Sequence, residues 1–206
     1  MRAISVLLFV LLFVVSATAT LIYFQPNGAA GKDSYTTDTT PNDNYGGVEQ
    51  IFCGHVNGLG AWAAFIEFDG LDDSQYQGAT VNEATLSLWV YDVDNPGQFQ
   101  LGACSSAWNE YAITWDNMPS YHATVFLDYP TDLGFMQFDV TDWVQNWLDG
   151  TWANNGLGFF DNTGTYETIS FRSSDYSNSA VRPVLMLNYS GSAIEETTWG
   201  QIKATY

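Results

Sequence analysis

The chain has 206 residues, 46% hydrophobic and 16% aromatic, enough to bury a sizeable core as one domain. Five lysines and arginines stand against 23 aspartates and glutamates, a formal charge of −18. A field of that sign repels nucleic acid, anionic membrane surfaces and polyanionic polymers, and is compatible with divalent cations or with plain solubility.

The N-terminus reads Met1-Arg2, then an apolar run from Ile4 to Val15, then SATAT with Ala17 and Ala19 spaced for signal peptidase. A basic tip, a short apolar core and small residues predict a secretory signal peptide over residues 1–19, because the run is too short to span a bilayer comfortably. The mature chain is expected to be secreted or held at the cell surface, with no membrane span. Residues 20–190 are expected to form one β-domain and residues 191–206 a C-terminal tail.

Beyond the leader, alternation is the main signal. In AWAAFIEFD, Trp62, Ala64, Ile66 and Phe68 oppose Ala63, Phe65 and Glu67. In VNEATLSLWVYD, Ala84, Leu86, Leu88 and Val90 fall on one side and Thr85, Ser87, Trp89 and Tyr91 on the other, the pattern of a half-buried strand. FQLGAC, FMQFDV, GLGFFD, TISFRS and PVLMLNY are shorter candidates, separated by PNDNYGG, VNGLG, VDNPGQ, NNG and DNTG. About nine or ten short strands between such turns predict an all-β antiparallel sandwich.

One stretch breaks the pattern. In FDVTDWVQNWLDG, Trp143, Val144, Trp147 and Leu148 form one helical stripe, with Asp142, Gln145, Asn146 and Asp149 opposite. Thr141 is placed to cap this helix and Gly150 to end it in a left-handed turn. Barely two turns long, it cannot hold itself together, so its tryptophans are expected to plug an open end of the sandwich.

Chemistry-bearing residues are sparse. His55 and His122 stand in no nucleophile-elbow or HExxH context, so the chain reads as non-enzymatic. Cys53 and Cys104 lie in apparent strands; in an exported protein they are either a disulfide or two buried thiols. Asp33, Asp38 and Asn44 in KDSYTTDTTPNDN, with Asp139 in FDVTD, offer hard oxygen ligands for one structural calcium ion, or else serve as turn-forming side chains. The cysteines and histidines show no zinc spacing.

Five segments follow one another along the chain: residues 31–47 (GKDSYTTDTTPNDNYGG), 65–92 (FIEFDGLDDSQYQGATVNEATLSLWVYD), 108–120 (WNEYAITWDNMPS), the FDVTDWVQNWLDGTWANNGLGF block and SFRSSDYSNSAVRPVLMLNY. Together they resemble the DNRLRE-type domain, which overlaps an alginate-binding carbohydrate-binding module family and the archaeal disaggregatase-related repeats. The resemblance implies a jelly-roll-like β-sandwich, an accessory module of secreted or surface proteins, with no catalysis. It makes Trp108 and Trp115 part of a structural segment and puts Arg172 and Arg182 in the closing hairpin. Exposed aromatic rings stack on the C–H faces of sugars, so Trp89 and Tyr91, with Trp62 and Arg172, are the candidate ligand contacts. The expected partner is a polysaccharide, or a surface protein if the domain is an adhesive building block. In the tail, Trp199, Ile202 and Tyr206 are spaced for one helical face.

Overall fold

The structure, a computed structural model, describes residues 18–191 apart from Asn57, Asp72, Pro96, Thr131, Asn162, Thr163 and Thr165. The predicted signal peptide up to residue 17 and the tail from residue 192 lie outside the described residues. The strands are β1 (Thr20–Phe24), β2 (Lys32–Thr37), β3 (Gln50–Val56), β4 (Gly60–Glu67), β5 (Thr80–Asp94), β6 (Gln98–Cys104), β7 (Tyr121–Asp128), β8 (Gly134–Asp139), β9 (Leu157–Phe160), β10 (Glu167–Arg172) and β11 (Val184–Ser190). The helix α1 (Thr141–Leu148) follows β8. No helix among the described residues is long and apolar enough to cross a membrane.

The strands follow one another as β1-β11-β5-β10-β3-β4-β9-β6-β7, with β2 added to β4 and β8 to β5. Two strands curl this antiparallel ribbon into layers. Val90 of β5 lies opposite both Phe171 of β10 and Gly134 of β8, while residues 80–87 of the same strand carry β11. β4 takes β3 and then β9 along one edge and β2 along the other. The result is the all-β, jelly-roll-like antiparallel architecture that the sequence predicts.

The alternation in β5 places Ala84, Leu86, Leu88 and Val90 wholly inside. Facing them is a tetrad of phenylalanines, Phe99, Phe138, Phe159 and Phe171, from four different strands. All six of its ring pairs have centroids 5.4–6.5 Å apart. β4 departs from its one-sided pattern: Ala63, Ala64, Phe65 and Ile66 are all buried. Ala64 and Ile66 join the main core, whereas Ala63 and Phe65 pack with Cys104 and Ile113 in a second cluster on the other side. The segment between β6 and β7 closes that cluster, with Trp108, Trp115 and Met118 against it. A strand covered on both faces loses its polar alternation, so periodicity alone assigns its second face to solvent.

α1 buries Val144, Trp147 and Leu148, with Trp143 half-buried against the same core, and Gly150 follows at φ +76°. Thr141 does not cap it. Val140 holds that position, and Thr141 Oγ1 instead accepts a hydrogen bond from Ala84 N at 2.9 Å. Gln145, expected on the solvent side, clamps the helix to the start of β5. Its Oε1 accepts from Val81 N at 2.8 Å and its Nε2 donates to Ala79 O at 3.1 Å. Gln145→Ala strands two backbone groups at once and is expected to cost about 1–3 kcal/mol in chemical denaturation. A change below about 0.5 kcal/mol would mean that water replaces both bonds.

Candidate functional site

Where β5 runs on past Val90 it pairs with β10, and β10 pairs with β3. Ile51, Cys53, Ile169 and Phe171 turn inward and are fully buried, which leaves Gln50, Phe52, Thr168 and Arg172 on the outer face. Beside them runs a groove of about 330 Å³ lined by Tyr35, Phe52, Trp62, Asp92, Thr168 and Ser170. Tyr35 meets Phe52 edge-on at 5.0 Å and stacks on Tyr45 at 4.3 Å. Burial pushes the Tyr35 hydroxyl up to about 12, so it stays a neutral donor at any physiological pH.

The candidate ligand contacts partly meet here. Trp62 lines the groove itself. Tyr91 stands at its margin: its hydroxyl donates to Gln50 Oε1 at 2.5 Å and lies beside Ser170. The Arg172 guanidinium is sandwiched between two rings, 4.0 Å from the centroid of Tyr91 and 4.1 Å from that of Tyr176. Such cation–π contacts fix a planar cation without an acidic partner. Trp89 is not among the residues that line the groove and meets exposed Phe135 of β8 edge-on at 5.1 Å. Sequence reasoning missed Tyr35 and Phe52. Phe52 alternates with Ile51 and Cys53 in QIFCGHV and was legible in principle. Tyr35 reaches the groove through the register of β2 on β4, which has no local signature.

Of the four oxygen-bearing residues expected to hold calcium, the structure gathers only Asp33 into a carboxylate cluster. Asp38 Oδ1 accepts from Ala61 N at 2.9 Å, and Asn44 Nδ2 donates to the carbonyls of Glu110 and Ile113 at 2.7 and 2.8 Å. Asp139 Oδ1 accepts from Thr141 N at 3.0 Å, and the bonds from Thr141 hold its carboxyl below the usual range. These three serve turns and strand ends, the usual work of such side chains. Asp33 instead meets Glu110 and Asp175, with one oxygen from each within 4.8 Å of the others. Burial is the main cause that raises all three carboxyls, Asp33 to about 7.

The disulfide alternative is corrected: Cys53 and Cys104 are free, buried thiols. Cys53 belongs to the main core and Cys104 to the cluster on the other side of the sheet, so the two side chains serve different interiors. Burial pushes both thiols up. The His122 imidazole stacks on Trp152 at 4.6 Å, a packing role.

A search of curated proteins finds no match. The family model described as carbohydrate-binding module family 96 matches residues 26–189. Modules of this kind bind carbohydrate and carry no catalysis. The matched span runs from the turn after β1 into β11 and takes in the aromatic groove and the carboxylate cluster; the chain belongs to carbohydrate-binding module family 96.

Proposed function

We propose that the protein is an exported, non-catalytic module that holds a neutral polysaccharide on the groove between Tyr35, Phe52 and Trp62. The groove carries this reading, because it offers rings for the C–H faces of a sugar and the polar groups of Asp92 and Thr168 for its hydroxyls. Charge supports the choice of a neutral chain. Lys32 is paired with Glu67 at 2.5 Å, Arg172 is stacked between tyrosines, and Arg182 Nε donates to Tyr176 O at 2.7 Å. These described cations are all engaged within the fold, in a chain of charge −18. Export rests on the leader. The finer kinship with DNRLRE-type domains and disaggregatase-related repeats rests on the five segments quoted above.

Isothermal titration against neutral and uronic-acid polysaccharides tests the reading. Binding of a neutral chain is expected to weaken about tenfold or more in Trp62→Ala, a loss of about 1.4 kcal/mol or more, with the fold intact by circular dichroism. Unchanged affinity in that variant would discard the groove, and preference for a polyuronate would discard the neutral ligand. A second reading, an adhesive building block with a protein partner, draws on β7, the last strand of the ribbon, which exposes Val125 and Phe126. Silence on every glycan, with retention on a cell surface lost in Phe126→Lys, would favour it.

A further inference from the structure

The carboxylate cluster joins three segments far apart in sequence. Asp33 stands in β2, Glu110 in the segment between β6 and β7, and Asp175 in the turn between β10 and β11. We propose that Asp33, Glu110 and Asp175 form a binding site for one divalent cation of the calcium type, which clasps these segments together.

Distances fit such an ion. Calcium holds oxygen ligands at about 2.3–2.6 Å, so two oxygens on one ion lie at most about 5 Å apart. One oxygen of each carboxylate lies within 4.8 Å of the others. The donors are all oxygen, without histidine or cysteine, as a hard cation requires.

Hydrogen bonding leaves oxygens of this cluster without donors. Asp33 is 1% exposed; its Oδ2 accepts from Ser174 N at 2.7 Å, but its buried Oδ1 has no hydrogen-bond partner. Asp175 Oδ2 is likewise buried without one. The Ser174 hydroxyl lies beside the Asp33 carboxylate, and its oxygen has no partner of good geometry. A buried carboxylate oxygen with no donor is costly, and three together repel one another. A bound cation removes both penalties.

The nearby positive groups do not fill that role. Lys32 is committed to Glu67 and lies over the Trp108 ring, 4.6 Å from its centroid. Arg182 lowers the carboxyl of Asp175 but takes its hydrogen bond at Tyr176 O. The backbone also closes in: a side chain at Gly28 would collide with Asp175 Oδ1, and one at Gly46 with the Glu110 carbonyl. A cation held here would pin the segment that covers Phe65 and the turn that carries Tyr176, the outer ring of the Arg172 sandwich.

The test uses the full mature chain, stripped with chelator and dialysed, titrated with calcium chloride and with magnesium chloride. Calcium is expected to bind one per chain and to raise the melting temperature, more so at higher concentration, and chelator to reverse the rise. Glu110→Gln and Asp175→Asn are expected to weaken calcium binding about tenfold or more, because affinity follows the charge of the ligand set. Asp175 is half-exposed, so its variant keeps the test alive if Asp33→Asn does not fold. Exposed Asp116→Asn serves as control and should leave the titration unchanged. No calcium-dependent shift in the wild-type chain overturns the proposal, as does an equal loss in Asp116→Asn, which would mark diffuse screening by the acidic surface.

Discussion

Phe159→Ala is expected to lower the unfolding free energy by about 3–5 kcal/mol. Phe159 is 0% exposed and touches Phe99, Phe138 and Phe171 with ring centroids 5.4–6.1 Å away. Those rings come from β6, β8 and β10, while Phe159 itself sits in β9 between Ala64 of β4 and Leu101 of β6. Removing it opens a void bordered by strands that are each held by their own ladders, so the walls cannot collapse to fill it. The exposed Phe126, 56% accessible on β7, provides the contrast: its alanine variant should stay within about 0.5 kcal/mol of wild type. Urea denaturation followed by tryptophan fluorescence reads both. Similar losses for the two variants would deny that the phenylalanine tetrad is the centre of the core.

Gly54→Ala is expected to be comparably severe, at about 3 kcal/mol or more, by a different route. Gly54 has φ +137°, a conformation that a side chain rarely adopts, and a Cβ there would strike the Glu167 carbonyl and Thr168 Cα of the neighbouring strand. Backbone strain of about 1–3 kcal/mol adds to an overpacking cost of similar size. The position stands opposite Thr168 of β10 and Trp62 of β4, two residues that line the groove. Distortion at Gly54 should therefore reach the proposed ligand surface as well as the fold. At about 2–4 °C per kcal/mol for a domain of this size, the melting temperature should fall by roughly 6 °C or more. A thermal scan showing a fall under about 2 °C would mean that β3 can shift away from β10 without cost.

The family membership gives the aromatic face a functional context, and the fold supplies its geometry. Trp62 and Tyr91, picked out for their ring chemistry, stand at the groove, whereas Trp89 turns to Phe135. Trp89 and Tyr91 share one side of β5, and alternation cannot separate them. β10 packs beside Tyr91 and β8 beside Trp89, so the neighbours of each ring differ although their sequence pattern is the same.

What the linear sequence determined is local. The inward row Ala84, Leu86, Leu88 and Val90 and the stripe Val144, Trp147 and Leu148 were legible because strand and helix each repeat with a period set by the backbone. The left-handed stop at Gly150 was legible for another local reason: glycine, without a Cβ, takes the positive φ that ends a helix. Tertiary structure decided the rest. It buried β4 on both faces, made Gln145 a clamp and put Cys53 and Cys104 in different interiors. It also brought Asp33 to Glu110 and Asp175, while Asp38, Asn44 and Asp139 remained in their turns. A periodic pattern says which side of a strand is apolar. Which distant residue arrives there depends on strand register and on the path of long connections, where contacts 77 and 141 residues apart hold Asp33 in place.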